Sequence, residues 1–312
     1  MKRAGVVHTA RRAGQSWSAE RIDRGLLCPV CSTPSVSVGN KYGEYARTVF
    51  AVMRCPACHF AYVRDPIASP DIYDEAYYRG HGADTAVDYV YELEHPDKTV
   101  RAYEWKGVAE IVQGALGARS SPARWLDYGC GTGGLVRHAR ALGFDAWGFE
   151  EGFGAQLARK ASVPLLDRAA LATVDRFDVV TAIEVLEHVF DVNDFLRSVR
   201  RMLAPGGLFF YTTGNPEGRR GRSLLSWGYL VPEVHVSFYE PRTMERALHN
   251  AGFRAQYLVP SAGHAEIVRY KVLKVLGLKA QLPGGLPWGL RAMSPVVRAV
   301  TGVLAHPIGI AV

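Results

Sequence analysis

A glycine-rich stretch at residues 123–134, ARWLDYGCGTGG, constrains the fold of this chain more than any other part of its sequence. An apolar run that ends in an acid predicts a strand over residues 124–128, and helical spacing predicts a helix over residues 135–142. Three of the glycines have the G-x-G-x-x-G spacing, in which glycine adopts positive φ and lets a ligand lie against bare backbone. The spacing alone is weak evidence, because a turn that binds no ligand has the same pattern.

Two acids flank these glycines. Asp127 closes the predicted strand, and Glu150 ends the next apolar run. An acid at the second of these positions accepts hydrogen bonds from ribose hydroxyls. The pattern therefore predicts a site for a nucleoside cofactor, a property that dinucleotide dehydrogenases share.

A second motif separates the possible cofactors. Residues 177–189 read FDVVTAIEVLEHV, and together with LDYGCGTG at 126–133 they resemble the class I S-adenosylmethionine-dependent methyltransferases. Within that class they are most similar to the ubiquinone-type O-methyltransferase group, over roughly residues 125–258. The resemblance implies S-adenosylmethionine as the cofactor, bound by Asp127, Gly129, Gly131, Gly133, Glu150 and Ile183.

Strand and helix patterns alternate after residue 122, which predicts an α/β domain around a parallel sheet. The resemblance implies a Rossmann-like seven-stranded methyltransferase sheet with one antiparallel edge hairpin, whose last strand is residues 308–312. The cofactor is expected at the carboxyl ends of strands one, two and four, where the strand order switches.

The sequence predicts five segments, each with its own composition. They are a mobile basic tail (1–24), a zinc ribbon (25–64), a helical linker or lid (65–121), the Rossmann-like S-adenosylmethionine-binding domain (122–260), and a C-terminal helical extension with the last strand (261–312).

Four of the five cysteines form two C-P-x-C pairs, Cys28 with Cys31 and Cys55 with Cys58. Four thiolates at this spacing suit a closed tetrahedral zinc site. Two disulfides are an alternative, although no export signal is present, and iron in a rubredoxin-like site is another. A closed site serves folding, so a structural role is predicted. Cys130, in the cofactor loop, is interpreted as a small apolar filler.

The lid segment is rich in tyrosine. In related methyltransferases such a segment covers the cofactor, so the resemblance implies that Tyr73, Tyr77 and Tyr78 are lid residues and that Tyr78 contacts the cofactor. The alternative is an aromatic stripe packed on the ribbon.

Four polar side chains follow the fourth and fifth predicted strands: Glu184, Glu187, His188 and His235. If a helical turn begins at the first of them, the first three face one way, and the second histidine follows the neighbouring strand. Two carboxylates and two imidazoles can hold Mg²⁺ or another divalent cation. The set resembles the Glu-x-x-Glu-His plus distant His metal site of ubiquinone-type O-methyltransferases and small-RNA 2′-O-methyltransferases.

Two other roles for this set remain open. His188 or His235 can act as a general base, so these two histidines and Glu187 are the predicted catalytic residues. The same run can also cap a helix and pack without any chemical role.

The net charge of +7 permits an anionic partner but does not demand one. The N-terminal residues lack a signal-peptide core, and no apolar run is long enough to span a membrane, so a cytoplasmic protein is predicted. A basic amphipathic stretch at 267–276 favours packing on the domain or a dimer interface over contact with a membrane surface.

Arg219, Arg220 and Arg222 share one loop, which either binds an anion or is solvated. The oligomeric state is not predicted.

The sequence thus predicts a methyltransferase that acts on oxygen of a small-molecule or sugar acceptor, in secondary metabolism or cell-envelope biosynthesis. One alternative is RNA methylation, with the ribbon and basic tail as the RNA grip. Nucleic acid is the less favoured partner, because the ribbon lacks an evident aromatic and basic stacking face. A cofactor-binding regulator without transfer is a further alternative, against which the intact glycine loop argues.

Overall fold

The computed structural model describes residues 7–12, 15–85, 87–99, 101–117, 120–257 and 309–311. The strands of its N-terminal part are β1 (Val7–Arg12), β2 (Gln15–Arg21), β3 (Val36–Gly43), β4 (Thr48–Arg54), β5 (Ala61–Val63) and β6 (Ile67–Ala68). β1 and β2 pair as an antiparallel hairpin, and β2 pairs with β6. The described part of the predicted mobile tail is therefore a hairpin, which differs from the expectation for residues 1–24.

Three helices follow in the lid segment. They are α1 (Glu75–Tyr78), α2 (Tyr89–Glu94) and α3 (Arg101–Leu116), with 3₁₀ turns at Pro70–Ile72 and Pro96–Lys98. Asp74 and Asp88 begin the first two helices, because the carboxylate of each accepts a hydrogen bond from a backbone N–H of the first turn.

The central sheet contains five parallel strands in the order β11-β10-β7-β8-β9. Their bounds are β7 (Arg124–Tyr128), β8 (Asp145–Phe149), β9 (Leu165–Leu166), β10 (Phe177–Ile183) and β11 (Leu203–Thr212). The predicted α/β fold with a parallel sheet is confirmed. Two short strands, β13 (Ala255–Tyr257) and β14 (Gly309–Ala311), extend the β11 edge, and β14 runs antiparallel to both of its neighbours.

Helices cover both faces of this sheet. Their bounds are α4 (Gly134–Ala141), α5 (Gly152–Lys160), α6 (Arg168–Thr173), α7 (Val192–Met202) and α9 (Pro241–Asn250). A further short helix, α8 (Arg222–Leu225), packs on β3 of the ribbon. One core cluster joins α3, α4 and α5 to the sheet, and another joins α7 and α9 to its opposite face. The central strands are therefore buried on both sides and carry nearly continuous apolar runs.

The ribbon shares a sheet with the parallel domain. β12 (Ser237–Phe238), which follows β11 in the chain, pairs antiparallel with β5 in a sheet of order β12-β5-β4-β3. Ribbon residues such as Cys55 and Phe60 belong to the same buried cluster as Leu126 of β7. The boundaries predicted at residues 64 and 122 therefore do not separate independent cores.

The predicted C-terminal helical extension, including residues 267–276, lies outside the described residues except for β14. Within the described part of the chain, no helix has the length and apolar character needed to cross a bilayer.

Candidate active site

A cavity of about 610 Å³ lies where β7, β8 and β10 end. Its walls come from the glycine loop after β7, the loop after β8, the first residues after β10, and the lid segment with α1, α2 and α3. In an open parallel sheet the ligand site is expected at this edge, where the strand order reverses. Six of the seven predicted cofactor residues line it: Tyr78, Asp127, Gly129, Gly131, Glu150 and Ile183.

The glycines of the loop have separate roles. Gly129, Gly131 and Gly133 all adopt positive φ, at +71°, +53° and +79°. A β-carbon at Gly129 would lie 2.6 Å from Val185, and one at Gly133 would lie 2.5 Å from Val163. These two glycines therefore permit close packing, and Gly133 lies behind the cavity wall. At Gly131 no atom lies within 4 Å of that position, so its backbone is open to a ligand.

One buried carboxylate, Asp127, and one partly buried carboxylate, Glu150, sit beside this loop. Glu150 accepts hydrogen bonds from the N–H groups of Gly131 at 2.8 Å and Glu151 at 2.9 Å. Asp127 accepts one from the Thr181 hydroxyl at 2.7 Å. Burial raises the pKa of Glu150 and raises that of Asp127 to about 7, because desolvation penalises the charged form. The glycine loop and Glu150 are therefore already joined in the arrangement predicted for a nucleoside site.

Tyrosines of the lid form one wall of the cavity. Tyr77 contacts Tyr78 edge-on with ring centroids 5.5 Å apart and stacks on Tyr89 at 5.7 Å. The absence of a side chain at Gly154 of α5 leaves the space that Tyr78 occupies, since a β-carbon at Gly154 would lie 2.1 Å from the tyrosine hydroxyl. The aromatic cluster thus faces the cavity, although Tyr45 of the ribbon packs against it as well.

Arg101, at the start of α3, also lines the cavity, and the cofactor motifs do not indicate it. Its guanidinium lies 2.5 Å from a carboxylate oxygen of Glu92 and 2.5 Å from one of Glu104. Its helix packs on the glycine loop, because Gly134 leaves space that the Trp105 ring fills. Only its spacing to Glu104 on a predicted helix could have drawn attention to it.

The chain turns sharply after β10. Glu184 adopts a positive φ of +54°, which is strained for a residue with a side chain. Leu186–His188 forms a 3₁₀ turn, so the condition that a regular helical turn begins at Glu184 is not met. Glu184 lines the cavity, whereas Glu187 is buried behind it. The Tyr229 hydroxyl lies 2.7 Å from Glu184 Oε2 and also hydrogen-bonds Glu187. Nothing in the local sequence around Tyr229 indicates this contact.

Both predicted histidines are held by carbonyl oxygens. Nδ1 of His188 donates to Val234 at 2.9 Å and lies 3.1 Å from the Tyr73 hydroxyl, and Nδ1 of His235 donates to Tyr229 at 2.6 Å. An imidazole that donates through Nδ1 in its neutral form presents Nε2 as a lone pair. Burial, and then the neighbouring His235, lower the pKa of His188 to about 3. His188 lines the cavity, and His235 lies behind it.

Glu187, His188 and His235 offer ligand atoms that all lie within 4.8 Å of one another. Metal-bound histidines usually donate their other ring nitrogen to a carbonyl or carboxylate, as these two do. Glu187 is oriented in a similar way, because its Oε2 accepts from the Thr213 hydroxyl at 2.8 Å. The donor set therefore fits a divalent cation, and Tyr229 connects Glu184 to it from outside the three-residue group.

The four ribbon cysteines also converge. The sulfurs of Cys28 and Cys58 are 3.5 Å apart, those of Cys31 and Cys55 are 3.4 Å apart, and all four lie within 4.8 Å of one another. All five described cysteines are free thiols. Tetrahedral zinc with sulfur ligands at about 2.3 Å places sulfurs about 3.8 Å apart, so the cluster fits that ion.

Side chains of the parallel domain bind the cysteine turns directly. Asn250 donates to the carbonyl of Val30 at 3.0 Å, and Thr243 donates to that of Cys58 at 2.7 Å. The predicted arginine loop lies here too, because Arg220 forms an ion pair with buried Glu240. These contacts lie outside the cavity and hold the ribbon against α9.

Comparison with known proteins identifies the family of this domain. Residues 100–258 match a family model described as a methyltransferase domain. The ubiquinone biosynthesis O-methyltransferase of Methylobacterium nodulans is 37% identical over 144 residues, which is 41% of this chain and 58% of that protein. The mitochondrial ubiquinone biosynthesis O-methyltransferase of Homo sapiens is 30% identical over 161 residues, 43% of this chain and 42% of that protein. The chain thus spans about half the length of the curated relatives it matches.

Among solved structures, phosphoethanolamine N-methyltransferase 2 of Haemonchus contortus is similar with a TM-score of 0.51 and 16% identity. The similarity covers 80% of this chain and 61% of that one, and it concerns the fold alone. The match over residues 100–258 shows that this chain belongs to the methyltransferase-domain family, and that its domain is that of an S-adenosylmethionine-dependent methyltransferase.

Proposed function

We propose that the protein transfers the methyl group of S-adenosylmethionine to an oxygen atom of a small-molecule or sugar acceptor. One observation carries the proposal: a single cavity joins the glycine loop and Glu150 to Glu184 and His188 beneath a wall of tyrosines.

We also propose that the sheet is the full seven-stranded class I sheet, which the antiparallel strand β14 supports. We propose a structural zinc in the ribbon as well, which the four converging cysteines support.

The residues proposed to hold the cofactor lie on three sides of the cavity. Glu150 suits the ribose hydroxyls, because its carboxylate is already fixed by two backbone N–H groups. Gly131 leaves room for the chain of the methionine, and Arg101 is the basic side chain, besides His188, among the described lining residues. We propose that Arg101 meets the methionine carboxylate. When bound, the cofactor supplies a methyl group that its sulfonium has already activated.

The chain must then align the acceptor oxygen and accept its proton. A base whose conjugate acid has a pKa of about 3 is weak at neutral pH, so His188 is poorly suited to act alone. The two imidazoles, each of which donates its Nδ1 hydrogen to a carbonyl oxygen, and the fixed Glu187 instead favour a divalent cation at these three residues. Such a cation would lower the pKa of a bound hydroxyl and orient it.

Methyl transfer from labelled S-adenosylmethionine to a panel of phenolic and sugar acceptors tests the proposal, with Mg²⁺, Mn²⁺ or Zn²⁺ added in turn. Replacing His188 or His235 by alanine is expected to lower turnover roughly a hundredfold or more. His249→Ala, on the last turn of α9, is the matched control and is expected to retain activity. Wild-type turnover in both active-site variants, at full folding, would remove the proposed role of these histidines.

A further inference from the structure

Glu233 is a buried carboxylate that the mechanism above does not use. It lies in the loop between β11 and β12, is 3% exposed, and lines the cavity. Its Oε1 accepts hydrogen bonds from the backbone N–H groups of Tyr45 at 3.0 Å and Ala46 at 3.2 Å. The absence of a side chain at Gly43 leaves the space that Oε1 occupies, since a β-carbon at Gly43 would lie 2.4 Å from this oxygen. The turn of the ribbon hairpin therefore fixes the carboxylate.

The other oxygen, Oε2, has no hydrogen-bond partner among the residues that the structure describes. Oε2 keeps accessible surface, and it opens onto the cavity that the residue lines. Because Oε1 is occupied and the residue lines the cavity, Oε2 is the oxygen left to receive a donor from a bound molecule.

Glu233 lies on the acceptor side of the cavity. The carbonyl of the next residue, Val234, holds His188, and both of these residues line the cavity as well. The glycine loop and Glu150, which we assign to the cofactor, belong to the loops that follow β7 and β8. A donor that meets Oε2 therefore belongs to the acceptor and not to the adenosine.

The charge of the cavity points the same way. Seven carboxylates line it: Glu92, Glu104, Asp127, Glu150, Glu151, Glu184 and Glu233. Arg101 is the only arginine or lysine among the described lining residues; it is paired with Glu92 and Glu104, and we assign its remaining donors to the cofactor and not to the acceptor. A carboxylate or phosphate of the acceptor that lay against Glu233 would face a like charge in a site of reduced dielectric, which is unfavourable.

We propose that Glu233 is an acceptor-binding residue that receives a hydrogen bond from a hydroxyl or ammonium group, and that the cavity selects uncharged or cationic acceptors over anionic ones. The inference rests on the proposed function, since it names the acceptor class for the same cavity. It also gives the ribbon a part in acceptor recognition, because the ribbon turn at Tyr45 and Ala46 positions the carboxylate.

Three probes that share a dihydroxyphenyl group and differ in charge test this: dopamine, 4-methylcatechol and 3,4-dihydroxybenzoate. Each is titrated calorimetrically into the full chain saturated with S-adenosylhomocysteine. Dopamine and 4-methylcatechol are expected to bind at least about tenfold more tightly than the benzoate, since a hydrogen bond to a charged group contributes about 1.5–3 kcal/mol.

Glu233→Gln removes the charge but keeps an oxygen for the two ribbon N–H groups, so the fold is expected to persist in thermal melting. This variant should lose about tenfold or more in affinity for dopamine and nothing for the benzoate. Glu75→Gln, whose side chain is exposed and does not line the cavity, is the matched control and should bind all three as wild type does.

Three results overturn the proposal: benzoate binding as tight as dopamine binding, a preference unchanged in Glu233→Gln, or no binding of any probe to the wild type. Titration of S-adenosylhomocysteine alone, and of each probe without it, distinguishes a failure of the proposed methyltransferase function from a failure of the proposed acceptor site. If the cofactor product fails to bind while the probes still discriminate by charge, the proposed function fails and the acceptor site stands.

Discussion

The imidazole rings of His188 and His235 lie with their centroids 4.9 Å apart, and each donates its Nδ1 hydrogen to a main-chain carbonyl oxygen of one loop. Those carbonyls belong to Val234 and Tyr229. The Tyr229 ring also stacks on His235 with centroids 4.4 Å apart. One loop therefore fixes the tautomer of both histidines, and the hydroxyl of Tyr229 fixes the two glutamates beside them.

Replacing Tyr229 by phenylalanine removes the hydroxyl that connects Glu184 and Glu187 but keeps the stacked ring. We expect affinity for Mn²⁺ to fall roughly 10- to 100-fold, as it does when residues that orient metal ligands are changed. Calorimetric titration of Mn²⁺ into protein whose cysteine cluster has first been saturated with Zn²⁺ measures the effect independently of turnover.

Tyr62→Phe is the matched control for this prediction. The Tyr62 hydroxyl bonds the carbonyl of Gly25 at 3.2 Å in the ribbon, away from the cavity. If Tyr229→Phe binds Mn²⁺ as tightly as Tyr62→Phe and the wild type do, Tyr229 does not orient a cation site.

Asp127 makes stability depend on pH in an unusual direction. Its folded-state pKa is about 7, whereas an unfolded aspartate titrates near 3.9. Between these values the unfolded chain loses the proton and the folded chain keeps it, so this residue's contribution to stability falls as pH rises and is lost above about pH 7. Asp127→Asn should therefore stabilise the unliganded protein at pH 8, by an amount on the order of 1 kcal/mol or more.

Urea unfolding of both proteins from pH 4.5 to pH 8 measures the difference in the free energy of unfolding. The wild type should lose stability relative to Asp127→Asn across that range, since the asparagine can still accept the Thr181 hydrogen bond. A constant difference at every pH would mean that Asp127 ionises normally in the folded chain.

The sequence predicts best where the signal is local. The strand predicted at 124–128 agrees with β7 residue for residue, because apolar runs between turn residues are strong local patterns. The glycine loop and Glu150 follow from spacing in the same way. Tyr229 and Glu233 lie in a loop whose tertiary packing brings them next to residues distant in the sequence, so no local pattern indicates their roles.

The ribbon shows a similar limit. Its cysteine spacing predicts the cluster, but its pairing with β12 joins Tyr62 to Ser237 across a large sequence separation. Two residues are too short a strand to recognise from propensity. The turn after β10 is another case, because Glu184 is left-handed there, whereas the interpretation of the motif depended on a helical turn that begins at that residue. Glu184 lines the cavity and Glu187 does not.

Zinc is predicted to stabilise the whole chain and not the ribbon alone. The cysteine cluster packs into the same core as the parallel sheet and is bonded by α9 side chains. Cys55→Ser should lose the metal and lower the melting temperature of the single main transition. Cys130→Ser, outside the cluster, should keep one zinc per chain by elemental analysis. A separate low-temperature transition in Cys55→Ser, with the main one unchanged, would contradict this.

The last prediction concerns the backbone of the glycine loop. At Gly131 an added β-carbon meets nothing within 4 Å, and φ is +53°, so Gly131→Ala should fold at a conformational cost of about 1–2 kcal/mol while its methyl enters the cofactor space. Gly206→Ala is the matched control, since it has a φ of +73°, the same open surroundings and no place in the cavity lining. Both variants should melt slightly below the wild type, but only Gly131→Ala should bind S-adenosylhomocysteine at least about tenfold more weakly. Gly133→Ala should instead fold poorly, because its methyl would lie 2.5 Å from Val163. Equal affinity in Gly131→Ala and Gly206→Ala would show that the cofactor does not lie against this loop.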